Sequence, residues 1–302
     1  MTINVTEYAN YTRAKFKREA AQGIVTKKGT KSYKVGGLLT TPVANPKIAK
    51  NMKEGVEVMT VALHLAPYDL SGYQVCPNAT KGCAAACLHT AGNPIYMENK
   101  GRARSIRTQL FFEKRNFFVA WLIEELTQYV LKAEKDGVKL GCRLNATSDF
   151  PWETLKINNG AREAATIFEL FPEVEFYDYT KRPKRDVSRI PNYSLTFSLA
   201  EDNDNDAIKA LERGMNVAVV FDTKRNKPLP QFMQQIRYIS TPSRNILKAG
   251  GIPGASKESA QWPVIDGDEH DFRPIDPKGV IVGLRAKGDA IGDESGFVRA
   301  GG

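Results

Sequence analysis

Three closely spaced cysteines are the residues of this sequence best suited to chemistry. Cys76, Cys83 and Cys87 lie in the segment CPNATKGCAAACLH, with six and three residues between them. Thiolates are the ligands of iron–sulfur clusters and common ligands of zinc. The intervening residues are mostly small, and Gly82 can supply a turn with positive φ, so the backbone can approach a cluster closely and point amides at its sulfides. The segment therefore predicts a metal centre.

The spacing favours an iron–sulfur cluster over zinc. Structural zinc usually takes two pairs of ligands, the members of a pair separated by only about two to four residues. Three neighbouring cysteines with a remote fourth are common in iron–sulfur proteins, and four cysteines fit a [4Fe–4S] cluster best. Zinc is the alternative metal, and unliganded thiols that pack as small apolar side chains are the third interpretation.

The fourth ligand has two candidates. Cys142 is the one remaining cysteine of the chain, and it falls in the next predicted strand. A single cysteine in a strand is often just part of a core. His89, two residues after Cys87, is the other candidate. We expect Cys142 to complete the set, so the predicted metal and cofactor ligands are Cys76, Cys83, Cys87 and Cys142.

Alternating strand and helix patterns predict how these residues are positioned. The run Val56–Pro67 has a partly alternating apolar pattern typical of a strand, and it leads into the cysteine loop. From Gly101 to Asp136 apolar residues recur at helical spacing, with a break near Asn116. Further strands are predicted at residues 138–149, 173–182, 192–200, 215–224, 235–240, 263–268 and 279–288, and further helices at residues 158–172 and 205–214.

This alternation predicts an α/β fold of parallel strands with crossover helices. About seven or eight strands suit a TIM-barrel-like (β/α) barrel or a partial barrel, and an open doubly wound sheet is the alternative. Residues 1–55 are expected to be a loosely ordered lead-in, and residues 56–302 a single domain that carries the cluster.

Such folds place their chemistry at the C-terminal ends of the strands. The polar residues at the predicted strand ends are Asn145, Thr147, Asp149, Lys181, Arg182, Ser198, Asp222, Lys224, Asp266, Asp268 and Arg285. We expect the four cysteines to lie near the same mouth of the barrel.

Composition indicates a cytoplasmic protein with a preference for anions. The 302 residues are 42% hydrophobic and 25% charged, which excludes a disordered chain. No membrane association is expected, because long uncharged apolar runs and a signal peptide are both missing from the sequence. In a reducing compartment clustered cysteines are more often metal ligands than disulfides. The net charge of +9 favours an anionic partner, either a nucleotide or nucleic acid, although a solvated basic surface explains it equally simply.

Two other polar groups give weaker indications. His270 lies among carboxylates in the segment 266–271, a set that could bind a hard metal but that we interpret as a polar surface turn. The segment 181–185, KRPKR, is the best anion-binding candidate. His64 has the pattern of a core or strand histidine, and the sequence contains no phosphate-binding loop, dinucleotide-binding motif or nucleophile elbow.

Several motifs together resemble those of a known family. They are CPNATKGCAAACL with AGNP, GCRLNATSDFPWE, FYDYTKRPKR, NYSLTFSLAEDN, and the late VIDGDEHDFRP and GVIVGLRAKG. In this order they resemble the gene-product-eighty-eight family of uncharacterised bacteriophage proteins, from roughly Gly36 to Arg285. The resemblance implies a phage protein that acts in the cytoplasm of the infected bacterial host. It implies no reaction.

A more distant resemblance, of architecture alone, is to radical-SAM enzymes. These also place three cluster cysteines after the first strand of a partial barrel, but with the spacing C-x3-C-x2-C and an aromatic residue before the last cysteine. The present spacing is C-x6-C-x3-C with Ala86 at that position, and no Gly-Gly-Glu follows the second predicted strand. If Cys142 is a ligand, every iron is capped. These departures argue against SAM as a cofactor.

Two functions are compatible with these residues. The first is an iron–sulfur protein that performs redox or radical-type chemistry at the C-terminal mouth of a barrel. The alternative is a non-catalytic module, stabilised by an iron–sulfur cluster or zinc, that binds nucleic acid or a phage or host protein. The sequence identifies no catalytic residue, so whether the protein is an enzyme stays open.

Overall fold

The computed structural model describes residues 2–26, 29–41, 57–87, 98–234 and 261–301. The strands are β1 (Thr2–Asn4), β2 (Ile24–Thr26), β3 (Gly29–Lys31), β4 (Leu39–Thr40), β5 (Val58–Leu63), β6 (Lys139–Arg143), β7 (Lys156–Asn158), β8 (Val174–Thr180), β9 (Tyr193–Ser198), β10 (Asn216–Phe221), β11 (Phe232–Gln234), β12 (Gln261–Asp266) and β13 (Ile281–Arg285). The α-helices are α1 (Arg13–Gln22), α2 (Lys81–Ala85), α3 (Glu98–Glu113), α4 (Arg115–Asp136), α5 (Ile167–Leu170) and α6 (Asp204–Glu212).

A nine-stranded sheet forms the centre of the described structure. Its order is β11-β12-β13-β10-β9-β8-β6-β5-β4. All pairs from β5 across to β12 are parallel, whereas β4 and β11 pair antiparallel at the two edges. The prediction of parallel strands with crossover helices is thus confirmed. A closed barrel is not formed by the described residues, in which the sheet ends at β4 and β11.

Helices cover one face of this sheet. From β5 to β10 each new strand is added on the same side of the preceding one, and right-handed crossovers then place all the connecting helices on one face. The apolar side of α4, including Phe118, Trp121 and Leu126, packs there against alternate residues of β5 and β6. Each such buried side chain contributes on the order of 2 kcal/mol. The predicted break near Asn116 lies at Lys114, which separates α3 from α4.

The opposite face is covered by the connection between β12 and β13, residues 267–280. Phe272 in this connection packs edge-to-face on Tyr177, with ring centroids 5.3 Å apart. A Cβ on Gly141 would lie 2.9 Å from Phe272 Cε2, so only glycine allows this approach. Asp271 Oδ2 accepts a hydrogen bond from Arg143 Nη1 at 2.8 Å, and Asp271 is 1% exposed. The interpretation of segment 266–271 as a surface turn is therefore wrong for Asp271, whose charge Arg143 offsets inside the fold, whereas residues 267–269 form a turn in which Glu269 is exposed.

The N-terminal residues are more ordered than the sequence suggested. We expected a loosely ordered lead-in over residues 1–55, whereas residues 2–26 and 29–41 contain α1 and four strands. Phe16 of α1 stacks on Trp121 with ring centroids 6.0 Å apart, and β4 extends the central sheet. Buried aromatic contacts with α4 thus order this segment. A domain boundary at residue 55 stays a prediction, because residues 42–56 lie outside the described residues.

One other predicted element differs from the structure, and one cannot be compared with it. The helix predicted at residues 158–172 is reduced to α5, which begins at the capping box of Thr166 and Glu169. The strand predicted at residues 235–240 lies outside the described residues.

Candidate functional site

The cysteine loop begins after β5 and lies at the C-terminal edge of the parallel strands. Cys76, Cys83 and Cys87 are each partly buried, and none forms a disulfide. Two different parts of the structure hold this loop, one near Cys76 and one near Cys83. This location agrees with the expected position of the chemistry in a parallel α/β fold.

Near Cys76 the loop is fixed to the turn that follows β6. Asp149 N donates to Val75 O at 2.9 Å, and Cys76 Sγ lies 3.9 Å from Thr147 O. The turn itself is shaped by Asn145, whose Oδ1 accepts from Phe150 N at 2.8 Å. Two of the predicted strand-end residues, Thr147 and Asp149, are thus brought to Cys76.

A buried network behind this turn holds it in place. Asp149 accepts from Thr180 Oγ1 at 2.8 Å and from Arg185 Nη1 at 3.1 Å. Arg185 also donates to Glu153 and to Tyr193 Oη. Arg185 was predicted to belong to an anion-binding segment, but its guanidinium is buried and bonded to these carboxylates. It therefore supports the loop from inside.

Near Cys83 the loop forms the short helix α2, which is held by Glu201. Gly82 N donates to Glu201 Oε1 at 2.7 Å, and Thr80 Oγ1 donates to Glu201 Oε2 at 2.6 Å. Thr80 caps the helix by accepting from Cys83 N at 3.1 Å. Glu201 follows β9, so α2 reaches toward strands β9 and β10.

Gly82 is required here for a reason that differs from the predicted one. It has no positive φ and lies within α2. A Cβ at Gly82 would lie 2.2 Å from Ser295 Oγ and 2.9 Å from Glu201 Oε2. The absence of a side chain lets α2 pack against the C-terminal segment.

The C-terminal segment covers the outer side of α2. Ala86, Ala200, Ala290 and Phe297 form a small apolar cluster, and Cys83 packs against it. Residues 286–301 therefore complete one wall around the cysteine loop.

The three loop thiols lie close enough to interact electrostatically. The pKa of Cys76 is raised to about 11, mainly by burial, with further increases from Cys87, Asp149 and Cys83. A hydrogen bond from the Tyr68 backbone opposes this rise. Burial is therefore the dominant influence on the pKa of Cys76. Within the described ranges, no group of three or more His, Cys, Asp or Glu side chains is arranged as a preformed metal site.

Cys142 lies in a different environment. It is fully buried and pairs in the sheet with Val61 of β5 and Phe176 of β8, on the face that packs against α4. Burial raises its pKa well above the ordinary value. Thr147, which contacts Cys76, comes five residues later in the chain, beyond the end of β6. The structure thus places Cys142 in the core, below the loop. His89 lies outside the described residues.

The remaining predicted strand-end residues form ion pairs or turns. Arg285 Nη1 contacts Asp266 at 2.8 Å and Asp268 at 3.2 Å. Asp222 accepts from Gly301 N. These contacts lie at the ends of β10, β12 and β13, outside the cysteine loop.

Sequence reasoning missed two features of the site. Glu201 was not among the predicted site residues, and its contact with Gly82 spans 119 positions of sequence. His64 was expected to be a core or strand histidine, and it is half-buried, with Nδ1 3.3 Å from Thr40 Oγ1. The sequence analysis did not predict that Arg104 and Arg107 act electrostatically on this histidine. The available signal was the spacing of three residues between these two arginines on one predicted helix.

Comparisons with known proteins place the chain in a family. None of the helices in the described part of the chain combines the length and apolar composition of a membrane span. Neither the curated proteins nor the solved structures contain a match to this sequence. A family model described as Gene product 88 matches residues 37–301. Because this match covers most of the sequence and includes the cysteine loop, the chain belongs to the Gene product 88 family, as its motifs predicted.

Proposed function

We propose that this protein is an iron–sulfur protein, with Cys76, Cys83 and Cys87 as ligands of a [4Fe–4S] cluster. The observation that carries the proposal is the placement of the three cysteines on one loop, at the C-terminal edge of parallel strands, with each end of the loop separately anchored. Parallel α/β folds bind their ligands at this edge. As a phage protein it would act in the cytoplasm of the infected host, where thiols stay reduced.

The electrostatics of the loop fit a cationic centre. Cys87 and Cys83 both raise the pKa of Cys76, so three thiolates would repel one another in the absence of a metal. Iron offsets this repulsion, and ligation deprotonates the thiols. The free energy of metal binding can also drive the ordering of a site. The three cysteine sulfurs therefore need not have the geometry of cluster ligands before the metal binds.

Three ligands leave one iron of a [4Fe–4S] cluster for a fourth ligand. Cys142 stays a prediction for that position, but its burial against α4 supports a role in packing. We therefore favour a cluster with three protein ligands, whose open iron would supply redox or radical-type chemistry to a substrate. The protein's own contribution would be to hold the loop and to bind the substrate beside it.

Metal and sulfide analysis of anaerobically purified protein tests the proposal. We expect roughly four irons and four sulfides per chain and a broad absorption band near ~400 nm. Cys83→Ser should abolish both, whereas the matched variant Cys142→Ala should retain them. Circular dichroism checks that each variant is folded.

Each other result has a definite meaning. Zinc without sulfide in the wild-type protein would overturn the iron–sulfur assignment and favour the non-catalytic, zinc-stabilised module. Loss of the band in a folded Cys142→Ala variant would make Cys142 a ligand and contradict ligation by three cysteines.

A further inference from the structure

A cavity of about 350 Å³ lies between the N-terminal segment and α4. The turn at residues 6–8, α1 and the start of β2 surround it. Its lining includes three aromatic rings, two carboxylates and one exposed apolar side chain, which are Tyr8, Tyr11, Phe117, Glu7, Glu19 and Val25. This volume is at the lower end of the range of small-molecule pockets, so the cavity suits a compact organic ligand.

The ring of Tyr8 lies perpendicular to two other rings of this cavity. Its plane is at 89° to those of Tyr11 and Phe117, with ring centroids 5.2 Å and 5.6 Å apart. Rings at right angles contact a ligand from different directions, as in the aromatic cages that bind quaternary and methylated ammonium groups. Lys15 Nζ lies 3.6 Å from the Tyr11 centroid, and Lys15 does not line the cavity. An ammonium group therefore already contacts the Tyr11 ring from outside.

Two carboxylates place negative charge beside these rings. Burial, Glu7, Tyr11 and finally Glu19 raise the pKa of Tyr8, and burial followed by Glu19 raises the pKa of Tyr11. Tyr8 donates a hydrogen bond to Glu7, and Tyr11 donates one to Glu19. A phenol that donates to a carboxylate has a more electron-rich ring, which attracts a cation more strongly. Within the described ranges neither glutamate forms an ion pair, so both charges act on a cation in the cavity.

We propose that this cavity binds a small organic cation through a methylated ammonium group. The rings contact the cation, the two glutamates offset its charge, and Val25, which is 68% exposed, contacts its methyl groups. A hard metal ion fits less well, because it requires several oxygen ligands at about 2.0–2.6 Å. Because the site uses none of the cysteines, it does not depend on the iron–sulfur cluster.

Calorimetric titration with choline tests this proposal. We expect a dissociation constant in the millimolar range, at least about tenfold lower than that of the neutral alcohol in which carbon replaces the nitrogen of choline. Glu19→Gln keeps the size of the side chain and should weaken choline binding by about threefold to fivefold, because it removes one negative charge. Glu134→Gln is the matched control, since Glu134 is exposed on α4 outside the cavity and should leave binding unchanged.

A second pair of variants separates the ring from the hydroxyl. Tyr11→Leu removes the ring and should weaken choline binding by about twofold to thirtyfold, whereas Tyr11→Phe keeps the ring and should bind more tightly than Tyr11→Leu. Circular dichroism checks that each variant is folded.

Four results would overturn the proposal. They are no binding of choline at tens of millimolar, equally tight binding of the neutral alcohol, equal choline affinities of the Glu19→Gln and Glu134→Gln variants, and equal choline affinities of wild type and Tyr11→Leu.

Discussion

Gly82 shows at the scale of one residue how closely the cysteine loop is packed. Because its Cβ would lie 2.2 Å from Ser295 Oγ, we expect Gly82→Ala to lower the free energy of unfolding by about 1–3 kcal/mol. Gly82→Ala combined with Ser295→Gly should recover part of the loss, since the nearest clashing atom is removed. Denaturant unfolding measures both.

Gly101 provides the control for this prediction. It lies in α3, and no atom of the described residues comes within 4 Å of the position of a Cβ, so Gly101→Ala should raise the free energy of unfolding by up to about 1 kcal/mol through helix propensity. If Gly82→Ala were as stable as wild type, or if Ser295→Gly brought no recovery, close packing at α2 would be refuted.

Residue types and their spacing were enough to predict part of the candidate site. The spacing of Cys76, Cys83 and Cys87 pointed to one loop, because neighbouring residues stay close whatever the fold. Glu201 had no comparable signal, since its contact with α2 depends on the order of strands in the sheet. The reason for a glycine at position 82 was likewise hidden, because Ser295 is distant in sequence.

At the scale of elements, Glu201 joins α2 to the end of β9. Glu201→Ala removes two hydrogen bonds to a carboxylate, each worth about 1.5–3 kcal/mol. In metal-free protein we expect Cys83 to be alkylated at least about tenfold faster, while the circular dichroism spectrum is unchanged. Glu212→Ala, an exposed position at the end of α6, is the control. Equal alkylation rates in the two variants would show that Glu201 does not hold α2.

The buried ion pair between Arg143 and Asp271 joins the connection between β12 and β13 to β6. Asp271→Ala leaves Arg143 buried without its main partner and should lower the free energy of unfolding by about 3–5 kcal/mol. Arg143→Met combined with Asp271→Ala should cost less than the sum of the single changes, because neither charge is then stranded. A double-mutant cycle by denaturant unfolding measures this coupling. Additive effects would contradict the pairing.

Local sequence patterns predicted the strands of the sheet better than they predicted strand pairing and the burial of loop residues. β5, β10 and β13 are buried strands with apolar runs, and β8 and β9 carry recurring apolar and aromatic residues, so all five are recognisable without tertiary information. The short strands β1 and β7 carry little periodicity, and their pairing is nonlocal. The burial of Asp271 could not be predicted, because an acidic segment is normally exposed until a partner such as Arg143 is known.

At the scale of the whole molecule, the sheet formed by the described residues is open, which the sequence pattern did not predict. Strand count and alternation suggested a barrel, but closure depends on which edge strands meet, and periodicity does not carry that information. In the described residues β4 and β11 end the sheet, and Phe272 fills its second face. In a closed barrel that space is filled by layers of side chains from alternate strands.

The pH dependence of global stability tests how this second face is filled. Burial raises the pKa of Asp276 to about 6, because the charges of Arg273, whose Nη1 lies 3.2 Å from Asp276 Oδ2, and of Lys278 offset the burial incompletely. The folded state therefore favours the neutral acid. Its stabilising contribution is complete below the ordinary pKa of 3.8 and is lost as the pH rises through about 6.

Between pH 4 and pH 7, the free energy of unfolding of the wild type should fall relative to that of the Asp276→Asn variant, by no more than about 3 kcal/mol. Urea unfolding of both proteins across this range gives the difference directly, because titrations shared by the two cancel. A constant difference would mean that Asp276 stays ionised throughout the range. The connection between β12 and β13 would then have to solvate that charge, contrary to the burial observed for it.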